Sequence, residues 1–287
     1  MEKRIIWRGV LAGAIGGLLA FVFAKIFAEP QIQKAIDYED GRDHAQESLN
    51  ATAGISPHEH ADPFSRAVQG NVGIGVALIL FGAAMGALFA VAYAVYLGRS
   101  GRLRPRSLAL LVAGGGFLGF YLVPFLKYPA NPPAIGNDDT IRQRSGLYLL
   151  MVLASLILLV LTVWLGKRLR ARFGTWNATL LAGGAFIVAT AIVMLLLPSF
   201  GDVSANAARH SSTETPGPLT DTAGAIVFPG FPADVLFSFR LYSLGAQLLL
   251  WATIGLVFAP LAERLLAPGR AGAAGGRPAG LEPAARP

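Results

Sequence analysis

Not one of the 287 residues is a cysteine, so disulfides, zinc–thiolate sites and thiol chemistry are excluded, and cysteine usage says nothing about the redox compartment. Charge is scarce as well. Asp, Glu, Lys and Arg make up 14% of the chain, where a soluble protein has about 25%. Two chemical signatures are also missing, the G-x-x-x-x-G-K-[ST] phosphate loop and the His-Glu-x-x-His helix, so the sequence offers no usual ATP loop and no zinc-protease motif. Nothing in it suggests an enzyme.

What is present is hydrophobic residue, 54% of the chain, together with 34 glycines. Six stretches, approximately 5–27, 72–97, 107–126, 147–165, 178–197 and 241–259, are each long enough to cross a hydrocarbon core that needs about 20 helical residues. Lipid offers a backbone amide no partner and no alternating strand pattern occurs, so each is expected to be a helix. The fold class expected is all-α, a polytopic integral membrane bundle. The first stretch is expected to stay as an uncleaved helix, because Lys25 interrupts it and no clear Ala-x-Ala site follows.

The cations are not spread evenly. Lys3, Arg4 and Arg8 precede the first stretch; Arg99, Arg102, Arg104 and Arg106 join the second to the third; Lys167, Arg168, Arg170 and Arg172 join the fourth to the fifth. Arg264, Arg270, Arg277 and Arg286 follow the sixth. The positive-inside rule then puts both termini in the cytoplasm and makes 28–71, 127–146 and 198–240 outer loops. The net charge of +7 and the pI near 10.0 reflect this topology and no nucleic-acid partner. Residues 1–267 form the expected transmembrane domain, and 268–287, rich in Gly, Ala, Pro and Arg, read as a disordered cytoplasmic tail.

Small residues recur at helical spacing. Gly9, Gly13 and Gly17 lie four apart, as do Gly82 and Gly86, and Gly115 and Gly119, which predicts closely approaching helices. The odd-numbered stretches share a small-residue start and a proline end, and the even ones are preceded by Arg66, Arg144 and Arg240. This recurrence suggests three repeated helical hairpins around a pseudo-three-fold axis; chance alignment of glycine-rich helices is the alternative.

The third stretch ends in "VPFLKYPANPP". Pro124, Pro129, Pro132 and Pro133 cannot donate backbone hydrogen bonds, so a kink or stop is expected there, with freed carbonyls facing protein or water. Lys127 and Tyr128 are expected at the membrane interface, the lysine snorkelling and the tyrosine in the aromatic belt. Asn131 lies in the same segment.

"VPFLKYPANPPAIGNDDTIRQRSGLY", with "FPADVLFSFRLYSLGAQLLLWATIGLVFAPLAER" and "HEHADPFSRAVQGNVGIG", resembles the CbtA family of bacterial cobalt transporter membrane subunits from the first helix to the last. The resemblance implies a multi-pass inner-membrane protein assigned to cobalt uptake and paired with a small CbtB-like membrane subunit that carries a histidine-rich end. It also implies five spans, the number with which the family is drawn, against the six that hydropathy gives. No N-terminal Met-His start like that of energy-coupling-factor cobalt proteins is present, so a gradient or a partner would have to drive uptake.

Independently of the resemblance, the first outer loop gathers His44, His58 and His60 beside Glu47, Glu59 and Asp62. Imidazole with carboxylate suits Co²⁺ and Ni²⁺, and the expected metal ligands are His58, His60, His44, Glu59 and Asp62; a plain solvated acidic loop is the competing reading. His210 is a weaker candidate. Within the membrane region Met85, Met151 and Met194 are expected to pack rather than ligate. The remaining gate or pathway candidates are Glu29, Arg66, Lys127, Tyr128, Asn131, Asp234, Arg240 and Gln247, with Arg240 expected to pair with Asp234 or Glu29. The function expected is a cobalt (or similar divalent cation) uptake subunit that uses no cofactor; the alternative is a non-transporting scaffold that anchors a metal-binding partner.

Overall fold

The structure is a computed structural model, which describes residues 2–52, 73–99, 103–133, 135–207 and 214–266. It is an all-α membrane bundle with five helices long and apolar enough to cross a membrane. Helix α1 (Glu2–Phe23) passes through a π-helical turn, Ala24–Ala28, straight into α2 (Glu29–Thr52). Residues expected in an outer loop are therefore helical as far as Thr52. Pro30 explains the turn between the two: with no N–H and a ring that clashes with the preceding turn, it forces a wider helical register just ahead of it.

Helix α3 (Ile74–Tyr96) runs back antiparallel to α1 and ends where Gly98 takes a left-handed φ of 78°. The glycine spacing does what it predicts at Gly9, Gly13, Gly17, Gly82 and Gly86, though not at Gly115, where a Cβ would meet nothing within 4 Å. A Cβ on Gly13 would lie 2.1 Å from the Gly82 carbonyl oxygen and one on Gly9 would lie 2.4 Å from that of Gly86, so the two backbones touch and only hydrogen fits between them.

Helix α4 (Pro105–Gly116) continues through a second π-helical turn, Phe117–Leu122, into the short α5 (Val123–Lys127). This turn too precedes a proline, Pro124. The carbonyl of Phe120, which would have accepted the N–H that Pro124 lacks, instead accepts from the Tyr148 hydroxyl at 3.3 Å, and the Gly119 carbonyl accepts from Ser155. The freed carbonyls face protein, as expected.

The longest helix, α6 (Ile141–Leu196), holds the fourth and fifth apolar stretches. Gly174, at φ 72° and ψ 173°, breaks it, and a Cβ on Gly166 would lie 3.5 Å from that of Ala182, so α6 is an antiparallel hairpin with two limbs. Five long helices thus contain six apolar segments. After the short α7 (Ser204–Ala207) and a two-stranded hairpin, β1 (Leu219–Thr220) with β2 (Ile226–Phe228), the chain closes with α8 (Ala233–Leu266).

The core is formed by α1, α3, α4 and α8. Phe89, Tyr93 and Phe258 meet edge to face at its centre, and Trp251 stacks on Phe120. The expected three-hairpin repeat is not formed. Helix α8 packs against α1 and α4 instead of against the second limb of α6, because that limb folds back onto the first one at Gly174. Glycine spacing alone fixed which faces are smooth, and the aromatic residues of α8 decided which neighbours it took.

Candidate functional site

The proline segment, α2 and residues 198–207 and 214–232 meet at the end of the bundle away from the N-terminus and form a cap. The arginines expected at its edge both hold it together. Arg240, in the second turn of α8, donates from Nε to the Ala130 carbonyl at 3.1 Å and from Nη2 to Asn131 Oδ1 at 2.8 Å. This corrects the expected partner: Arg240 engages the proline segment, whereas Asp234, six residues earlier in α8, is exposed and Glu29 lies 3.9 Å from Lys25. The prolines leave carbonyls that no backbone N–H claims, and a guanidinium satisfies two acceptors at once.

Tyr128 departs from expectation as well. It is buried instead of lying in an interfacial belt, its hydroxyl donates to the Pro198 carbonyl at 2.7 Å, and its ring stacks on Phe200 at 4.7 Å. Burial pushes its phenol above the ordinary pKa. The half-buried Lys127 ammonium sits 5.8 Å from the centre of this ring, so cation and tyrosine form one unit. Met151 and Met194 pack beneath them, as expected of structural methionines.

Arg144 makes the second tie. It pairs with Glu214 at 3.1 Å, and the Glu214 side chain is completely buried. Glu214 Oε1 also accepts from Thr140 at 2.7 Å and from Asn206 at 2.6 Å, and Asn206 Oδ1 accepts from Asn137 at 3.0 Å. Glu214 adopts a left-handed φ of 62°, which costs a non-glycine residue about 1 kcal/mol or more, so the surrounding hydrogen bonds hold it there. Sequence reasoning missed Glu214, Thr140, Asn137 and Asn206. Nothing in their spacing marks them, since the network joins segments about 70 residues apart; only Arg144 carried a signal, its place ahead of an apolar stretch.

The cap encloses a cavity of about 790 Å³ between the proline segment and the start of α6, lined by Tyr121, Asn131, Arg144, Ser145, Tyr148 and Glu39, among others. The Tyr121 hydroxyl is buried there without a hydrogen-bond partner. A second cavity, about 420 Å³, shares Glu39 and Gly136 with the first and adds Arg42, Asp43, Asn137, Asn206 and Glu214. Tyr38 closes it, donating to the Pro229 carbonyl at 2.9 Å, and burial raises its phenol pKa. Both cavities offer oxygen donors interleaved with guanidinium groups, a lining suited to a hydrated or ligand-bound ion and repulsive to a bare cation.

Of the expected metal ligands, His58, His60, Glu59 and Asp62 lie outside the described residues, as do Arg66 and His210. His44 is exposed on α2, 3.6 Å from Glu47. Among the described residues no group of three His, Asp or Glu side chains comes together to hold a metal. Gln247 is half-buried in α8, on the bundle side of the proline segment.

Residues 2–263 match the family model described as Probable cobalt transporter subunit (CbtA). No curated protein matches the chain, and no solved structure does.

Proposed function

Because the chain belongs to the CbtA family of probable cobalt transporter subunits, we propose that it is the membrane-spanning subunit of a cobalt uptake system and that the cap is its entrance. The family match over nearly the whole chain carries this reading, and the cap cavities support it by placing oxygen donors and guanidinium groups at one end of an otherwise apolar bundle. The family is one of transporters and not of enzymes. In this reading both termini face the cytoplasm of the inner membrane and the cap faces outward, which the distribution of cations supports.

Metal capture is assigned to the segment that follows α2. His58, His60, Glu59 and Asp62, with His44 at its approach, offer imidazole and carboxylate to Co²⁺, and Ni²⁺ fits the same donors. The ion then enters the cap, where Glu39, Asn131 and the tyrosine hydroxyls replace part of its hydration while Arg144 and Arg240 keep the walls in place. A subunit needs a partner. A small histidine-rich CbtB-like membrane protein would concentrate metal at this entrance, and no energy-supplying motif is present in this chain.

The test is uptake of Co²⁺ by cells expressing the chain with and without that partner. Accumulation above background that falls when His58 and His60 are both replaced by Ala, at unchanged protein level, is the expected result. Uptake indifferent to the double replacement would assign capture to the partner, and no uptake under any combination would leave the chain a scaffold.

A further inference from the structure

At the basic end of the bundle, opposite the cap, the first limb of α6 stands away from the core. It touches the π turn and α5, closely at Gly119, where a Cβ would meet Leu156 and Leu159 at 2.7 and 2.8 Å. Below that contact the limb diverges and leaves a cleft of about 580 Å³ walled by α3, α4 and α6, with Trp251 of α8 at its back. Gly115 lines it, and a Cβ on Gly115 would meet nothing within 4 Å. The walls are apolar, mostly Leu and Val, until the mouth, where Lys167 and Arg170 appear beside Tyr96.

The geometry points to a binding site for one anionic phospholipid, with an acyl chain in the cleft and the phosphate at Lys167 and Arg170. The first limb follows the cleft from Leu156 to Arg170, about 21 Å of helix. That is half of a bilayer about 40–45 Å thick with its headgroups, so the apolar wall and the cationic mouth fall at the depths of one leaflet's tail and headgroup. Lys167 is held in place, its Nζ 5.9 Å from the Tyr96 ring centre and donating to the Arg99 carbonyl at 3.2 Å.

Charge decides the occupant. Among the described residues no carboxylate pairs with Lys167 or Arg170: Glu263 pairs with Arg106, and Arg168 and Arg172 rest on Trp164 and Phe173 on the same helix. A transmembrane helix seated in the cleft would have to bring acidic residues to this mouth, whereas an anionic headgroup supplies the charge by its nature, and basic pockets between helices suit such headgroups. The inference does not depend on which ion the protein moves.

Native mass spectrometry of the purified full-length protein, titrated with phosphatidylglycerol or with phosphatidylcholine of the same chains, tests the site. Preferential retention of one phosphatidylglycerol is expected. Lys167→Ala with Arg170→Ala should weaken it roughly 30-fold, from the loss of two cations near a charged surface. Gly115→Leu, which fills open space, should cut retention of both lipids; Arg168→Ala with Arg172→Ala should leave it unchanged. Equal retention of the two lipids, or an unaltered preference in the Lys167 and Arg170 variant, would overturn the site. So would disulfide cross-linking of the Gly115→Cys variant to a second copy of the chain, since the cleft would then be a protein interface.

Discussion

Helices α1 and α3 and the α6 hairpin are built from similarly apolar sequence, yet they are held in opposite ways. The first pair meets backbone to backbone along Gly9, Gly13 and Gly17 of α1 and Gly82 and Gly86 of α3, while α6 buries only 11% of its most apolar stretch, against 28% to 39% in the other long helices. Apolar character inserts both into lipid, and it distinguishes them not at all. In a bilayer the residues that order helices are the small ones that admit a neighbour and the polar ones that bond to it. The core has the former, the hairpin is tied by the latter, and its ties cluster at the cap.

Substitutions in the two regions break or sharpen this contrast. Gly13→Leu drives a side chain into the Gly82 carbonyl and should abolish recovery of monodisperse protein on size exclusion, a penalty beyond about 3 kcal/mol. The same change at Gly115, beside the hairpin, should move thermal stability by less than about 0.5 kcal/mol.

Glu214→Ala strands the Arg144 charge in the cap and should cost about 3 kcal/mol in detergent unfolding, the lower end for a broken buried pair because Arg144 keeps 23% of its side chain exposed. Adding Arg144→Met should return most of it. Arg240→Ala removes two charge-assisted hydrogen bonds and should cost about 1.5–3 kcal/mol and lower Co²⁺ uptake. Asp234→Asn should give no rescue, whereas Asn131→Ala should add little in the Arg240→Ala background. A rescue through Asp234 would restore the ion pair that the sequence suggested.

Among the polar ties the smallest effect is expected for Tyr148→Phe, about 1 kcal/mol, for one hydrogen bond to Phe120. With Pro124→Ala, which returns an N–H to that carbonyl, the loss should vanish. Additivity of the two changes would show that the hydroxyl is not replacing the missing amide.

Much of the molecule was legible in its sequence. The apolar stretches gave the helices, Gly9, Gly13, Gly82 and Gly86 gave the tightest contact, and Pro124 gave a break with freed carbonyls, because each of these effects is local. The assembly of the cap was not. Arg240 has carboxylates nearby in sequence and bonds instead to Ala130 and Asn131, more than 100 residues away, since the prolines had left acceptors there. Tyr128 looked interfacial by position and is buried by Phe200 and Pro198. Glu214 stands among Ser, Thr and Pro with no periodicity to mark it, and its role exists only once Arg144, Thr140 and Asn206 surround it. The histidine segment belongs to the described structure only at His44, so its chemistry rests on residue type and spacing.

The bond from Tyr148 to Phe120 also sets an order of events during synthesis. When the third apolar segment leaves the ribosome and enters lipid, Pro124 has already deprived the Phe120 carbonyl of its partner within that helix, and an unsatisfied carbonyl in hydrocarbon costs several kcal/mol. Its relief is encoded 28 residues downstream. The third and fourth segments thus satisfy the Phe120 and Gly119 carbonyls only together, through Tyr148 and Ser155, and are expected to leave for the membrane as a pair.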